Sequence, residues 1–152
     1  MTLRRRGLID MENFTIACAE SCTGGLIMSR LTDFAGASAH VKGGIVAYVN
    51  EIKIKILHVK EDTIKNFGAV SSQTALEMAT NVREIFSSKI GLSTTGVAGP
   101  DKSEGKDVGL VYVAIVGENF SEVKEFHFSG SRSEIKFQAA DSAFELLMRH
   151  LT

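Results

Sequence analysis

The run Phe14-Thr15-Ile16-Ala17-Cys18-Ala19-Glu20-Ser21-Cys22-Thr23-Gly24-Gly25-Leu26-Ile27-Met28 governs how the rest of the chain can be arranged. Its first six residues are apolar or β-branched without interruption, the pattern of a short strand buried on both faces. Thr23-Gly24-Gly25 followed by Leu26-Ile27-Met28 opens a helix. Glu20, Ser21 and Cys22 therefore fall in a strand-to-helix turn. The first amides of such a helix lack intrahelical partners and point at whatever fills the turn, a setting that stabilises negative charge. Gly24 and Gly25 let a ligand approach the backbone without meeting a Cβ. Spacing alone equally suits a plainer role, in which Ser21 or Thr23 caps the helix, and that is the commoner use of such residues.

Further along, Gly43-Gly44 reads as a loop before a second strand, Ile45 to Val49, with Asn50 as an N-cap. Ile52, Ile54 and Ile56 alternate with Lys53 and Lys55 at strand period, yet the flanking residues suit a short helix, which is the reading adopted. Ser72 caps a long amphipathic helix in which Ala75, Met78, Ala79, Val82, Ile85 and Phe86 recur at helical spacing. Ile90 to Thr94, Leu110 to Val116 and Val123 to Phe128 read as strands. The polar run from Gly96 to Gly109 is a loop long enough to suggest function. Ser131 and Glu134 form a capping-box pattern before a final helix. Strands alternating with helices imply one sheet covered on both faces.

The chain has 152 residues, 44% hydrophobic and 23% charged, and no linker or repeat divides it, so the expectation is one domain over 1–152. Residues 1–12 are expected to form an arm or the start of a first helix. With 17 basic and 18 acidic residues intermixed, there is no broad field for nucleic acid or an anionic membrane. Arg4-Arg5-Arg6 reads as a solvated terminal arm. Two cysteines four apart, without a second Cys or His pair, fit neither a zinc site nor a disulfide. No segment has the length or apolarity of a signal peptide or a membrane span, so a cytoplasmic location is expected.

Three constellations can carry chemistry. Ser21 is a candidate nucleophile, and since His40, His58, His127 and His150 lack triad-like surroundings, Lys53 is a candidate base if burial lowers its pKa, with Tyr48 as a proton donor or relay. Against this, an Ile/Lys alternation by itself favours a surface lysine. Thr95, Gly96 and Gly99, at the end of a strand, offer hydroxyl and flexible backbone to a ribose or phosphate, although no Walker or dinucleotide motif is present. Arg132, at a helix start, can clamp a phosphate with two parallel bonds or lie solvated at the surface.

Taken in order, Ala19 to Gly25, Gly44 to Tyr48 with Asn50 and Lys53, Gly68 to Ser71, Thr94 to Pro100 and Gly109 to Val113 closely resemble the CinA C-terminal family, the nicotinamide-nucleotide amidohydrolases. The likeness covers nearly all of 14–147. It implies a three-layer α/β/α sandwich with a mixed, mostly parallel sheet. It also implies hydrolysis of the carboxamide of nicotinamide mononucleotide to nicotinate mononucleotide and ammonia, with no metal or organic cofactor and with self-association as a dimer. On that pattern Ser21 is the nucleophile and Tyr48 and Lys53 handle its proton; the mechanism expected from the strand-to-helix turn then has helix amides after Ser21 hold the oxyanion. Glu20, Cys22, Thr23, Gly24, Gly25, Thr95, Gly96, Gly99 and Arg132 are then the substrate-binding candidates. Two rivals stay open: a weakly catalytic nucleotide-binding protein associated with competence and damage, and an amidase for another small metabolite.

The chain departs from the family pattern in three places. Lys102-Ser103-Glu104 stands where many relatives carry a glycine pair, which leaves loop shape and substrate preference open. Lys136 replaces a common second Arg, trading a fork for a point charge. The larger N-terminal domain of many relatives is not expected here.

Overall fold

A strand with no polar outer face needs cover on both sides, and the structure, a computed structural model describing residues 12–151, supplies it. Arg4, Arg5 and Arg6 lie outside the described residues. Among those described, β1 (Ile16–Glu20), β2 (Val41–Val46), β3 (Ile90–Gly96), β4 (Leu110–Val116) and β5 (Ser121–His127) form one sheet in the order β2-β1-β3-β4-β5. The helices are α1 (Leu26–Leu31), α2 (Asn50–Lys55), α3 (Glu61–Phe67), α4 (Ser72–Phe86) and α5 (Arg132–His150). β1 runs parallel to both β2 and β3, whereas β4 is antiparallel to β3 and to β5. Only β4 opposes the other four, so the sheet is mixed and mostly parallel in direction, as the resemblance implied.

Alternation along β1 sorts the layers. Ile16 and Cys18 point into a core with α1 and α5, including Ile27, Ile135 and Leu146. Ala17 and Ala19 face the other way, toward Met78 and Val82 of α4. All five residues of β1 are fully buried, which makes it the hub on which both layers close.

Small residues set how closely those layers approach. A Cβ on Gly91 would sit 2.0 Å from the Ala79 carbonyl oxygen, so α4 rests directly on the β3 backbone. Gly43 and Gly44 lie inside β2 and not in a loop as the sequence suggested. A Cβ at Gly43 would stand 2.5 Å from the Phe86 ring, and one at Gly44 would stand 2.8 Å from Met28. Glycine is thus required there by neighbours on both faces, not by a turn.

Several local expectations shift by a residue or two. Ser71, not Ser72, caps α4, accepting a bond from the Thr74 amide at 3.1 Å. Val49 precedes α2 and no side chain caps it, so Asn50 is its first helical residue. β3 continues to Gly96, β5 begins at Ser121, and α3 was not anticipated. The helical reading of 50–55 and the reciprocal capping box of Ser131 and Glu134 are both present. No helix among the described residues is long and apolar enough to cross a membrane.

Gly91→Ala should cost about 1–3 kcal/mol or more, because the new methyl meets backbone and not a mobile side chain. Urea unfolding of the purified variant checks this through a lower midpoint at unchanged slope.

Candidate active site

The turn after β1 is organised by a buried carboxylate. Glu20 is 0% exposed and ends the strand, where its Oε1 accepts bonds from the amides of Gly25 (3.2 Å) and Ile27 (3.0 Å) and its Oε2 from Met28 (3.0 Å). Thr23 Oγ1 donates its only proton to Glu20 Oε1 at 2.6 Å, so the 2.7 Å contact to Thr94 Oγ1 is donated by Thr94. Glu20, and neither Ser21 nor Thr23, therefore satisfies the start of α1. This corrects two readings. Glu20 is held inside the fold instead of facing a ligand, and the first α1 amides are already bonded to it, so they are not free to hold an oxyanion.

With the helix start satisfied from inside, Ser21 is left to face the cleft. It is 7% exposed, and Lys53 Nζ lies 2.9 Å from its Oγ. Lys53 comes from α2, where strand-like alternation suggested a surface residue, yet it is only 2% exposed. A second Nζ bond, 3.0 Å long, goes to the Tyr48 main-chain carbonyl. Burial lowers the Lys53 pKa to about 8, offset in part by negative charge at Cys22, present only when its thiol ionises, and at Glu104. Relative to an ordinary lysine, the uncharged amine at neutral pH is enriched on the order of a few hundred-fold. The neutral form has a lone pair for the Ser21 proton.

Cys22 lines the same cleft but is a poor rival nucleophile. Burial pushes its thiol up to about 12, and the reactive species is the thiolate. Its main-chain amide, next in the chain after Ser21, donates to no backbone carbonyl among the described residues and lies against its own Sγ.

The cleft has a volume of about 330 Å³, at the small end of ligand-binding sites. Ser21, Cys22, Tyr48, Lys53, Thr95, Gly96, Gly99 and Arg132, all nominated from sequence, line it. Thr23, Gly24 and Gly25 do not; they border a separate cleft beside Lys136 and Phe137. Thr95 Oγ1 donates to the Ala69 carbonyl at 2.8 Å, keeping its lone pairs for a ligand. The Tyr48 hydroxyl is not on Ser21: Arg132 Nη2 donates to it at 2.8 Å, and Arg132 Nη1 also bonds the Gly99 carbonyl. Sequence reading missed Asp101, Ser103 and Glu104 as wall residues, although their loop was singled out for its length. Among the described residues no group of three His, Cys, Asp or Glu is placed to hold a metal ion.

Comparison with known proteins gives this geometry a context. A family model described as the CinA C-terminal domain matches residues 4–151. A protein of Acetivibrio thermocellus, named for competence-damage inducibility, is 50% identical over 145 residues, covering 95% of this chain and 35% of the relative. A CinA-like protein of Syntrophomonas wolfei is 45% identical over 137 residues, covering 90% and 33%. The chain thus spans about a third of the length of the curated relatives it matches. Among solved structures, the competence/damage inducible protein CihA of Agrobacterium tumefaciens superposes with a TM-score of 0.87 at 39% identity, covering 90% of this chain and 85% of that one. A CinA superfamily protein of Escherichia coli gives 0.87 at 29% identity, covering 90% and 80%.

Two stability measurements test the site. Glu20→Gln should lose about 2 kcal/mol or more, since an amide NH2 replaces an acceptor facing helix amides. Lys53→Met should be more stable than the parent at pH 7. The native state binds the Lys53 proton less tightly than the unfolded chain, so parental stability rises as pH climbs from about 8 toward 10.5. The advantage of the variant should fade over that window in pH-dependent thermal melts.

Proposed function

The chain belongs to the CinA C-terminal domain family, and on that premise we propose that it is a serine amidohydrolase that deamidates nicotinamide mononucleotide. The observation that carries the chemistry is the buried Lys53 amine 2.9 Å from Ser21 Oγ. The substrate is the one the family resemblance implies.

In this reading neutral Lys53 takes the Ser21 proton as Oγ attacks the carboxamide carbon. The Tyr48 carbonyl holds one Nζ hydrogen and so aims the amine lone pair at Oγ. The Cys22 amide is our candidate donor to the tetrahedral oxyanion, in place of the α1 amides occupied by Glu20. Lys53 ammonium then protonates the departing nitrogen, and ammonia leaves an acyl-enzyme on Ser21. Water attacks that ester, Lys53 again takes a proton, and its return to Oγ frees the acid. Arg132 and the Tyr48 hydroxyl are assigned to the phosphate, and Thr95, Gly96 and Gly99 to the ribose side of the cleft. Tyr48 thus serves the substrate anion and not the serine proton. Dimerisation belongs to the same proposal and is read by sedimentation.

Ammonia release from nicotinamide mononucleotide should fall at least about 10³-fold in Ser21→Ala and in Lys53→Met. In the parent, kcat/KM should rise with pH through a limb near 8, the point at which Lys53 loses its proton. Full activity in Ser21→Ala sinks the mechanism.

A further inference from the structure

The segment that departs from the family pattern forms a structured part of the cleft wall. Glu104 Oε1 accepts from the Ala69 amide at 2.9 Å and its Oε2 from the Val70 amide at 3.2 Å. Lys106 Nζ donates to the carbonyls of Phe67, at 2.8 Å, and Val70, and pairs with Glu104 at 3.5 Å. Two loops far apart in sequence, one at 67–71 and one at 101–109, are thereby joined side chain to backbone. A Cβ at Gly68, which has a φ of 86°, would lie 2.6 Å from Glu104 Oε2 and 2.7 Å from Lys106 Nζ, so a side chain there would push the join apart. Glu104 itself holds a φ of 55°, a left-handed conformation that disfavours any residue but glycine. A glycine there would be less strained, so the side chain's contacts offset the backbone cost.

We propose that Glu104 and Lys106 form a clamp that fixes one wall of the Ser21 cleft, with Glu104 a positioning residue that acts on the reaction through Lys53. Ala69, Val70 and Glu104 all line the cleft that holds Lys53. The titratable or charged groups sharing it are Cys22 from the β1 turn, Tyr48 ahead of α2, Asp101 and Glu104 from the β3–β4 loop, and Arg132 from α5; Glu51 and Lys55 flank Lys53 on α2. Besides burial, the groups that bear on its proton are Cys22 and Glu104. Cys22 stays a thiol near neutrality, so of these two it is Glu104 that carries charge toward Lys53. The clamp therefore does two things: it shapes the wall, and it holds a carboxylate where it favours the Lys53 ammonium.

The kinetic part rests on the amidohydrolase reading, so the test has an independent arm. Glu104→Gln, Glu104→Asp and Lys106→Met are compared with the parent by the pH profile of kcat/KM on nicotinamide mononucleotide, and by NMR titration of the Lys53 side chain, assigned with Lys53→Met. Glu104→Gln should move both the ascending limb and the Lys53 titration to lower pH. Glu104→Asp should leave them in place but lower the plateau roughly tenfold, because the shorter side chain keeps the charge and loses the wall. Lys106→Met should lower the plateau and move the titration upward, because it leaves the carboxylate unneutralised. An unmoved Lys53 titration in Glu104→Gln overturns the proposal. If the parent releases no ammonia, the amidohydrolase reading fails while the NMR arm still decides the clamp. If Glu104→Gln does not fold, an unmoved titration in Lys106→Met overturns it instead.

Discussion

A single buried carboxylate, Glu20, stands beneath everything the cleft does. Its two oxygens, fully buried, take the amides of Ile27 and Met28 in α1, the amide of Gly25 just before it, and the Thr23 hydroxyl. A carboxylate buried without such partners would be prohibitively costly, and helix amides left unbonded would be nearly so. Each solves the other's problem, and the turn between them is held rigid as a result. Because α1 is satisfied from within, Ser21 has no capping duty and faces outward toward Lys53.

Lys53 works in the opposite sense, as a strained component that the rest of the fold tolerates. Bringing an amine out of water opposes its charge, and the cleft answers with one hydroxyl, one carbonyl and a carboxylate at a distance. That arrangement sacrifices stability and leaves an amine that is partly neutral near physiological pH, a pattern common at reactive sites. The pocket can carry the cost because β1, buried along its whole length, anchors two closely packed layers. Gly91, Gly43 and Gly44 let those layers approach until backbone and rings touch.

At the mouth, polar side chains tie separate loops to one another instead of reaching into solvent. Arg132 joins the start of α5 to Tyr48 and Gly99, and Glu104 with Lys106 joins the loop after β3 to the entry of α4. With Ser21 and Cys22 at its floor, the cleft is thus assembled from five stretches of chain. Its shape depends on a handful of charge-assisted bonds, whose net strength exceeds that of neutral ones.

Much of the architecture was legible in local pattern: β1 from its unbroken apolar run, α4 from three- and four-residue spacing, α5 from its capping box. Those signals act within a turn or two of chain, so sequence alone carries them, together with the nomination of Ser21, Lys53 and Arg132. What it misplaced depended on distant neighbours. Gly43 and Gly44 read as a loop because Phe86 and Met28 lie elsewhere in the chain, the Ile/Lys alternation by itself could not show that Lys53 is buried against Ser21, and Glu20 read as a ligand contact because its amide partners are set by how α1 folds back. Which hydroxyl meets which amine, and whether Tyr48 offers its ring oxygen or its carbonyl, was decided by the order of strands in the sheet. That order brings residues 21, 48, 53, 99, 104 and 132 around one cavity, and no spacing along the chain encodes such a convergence.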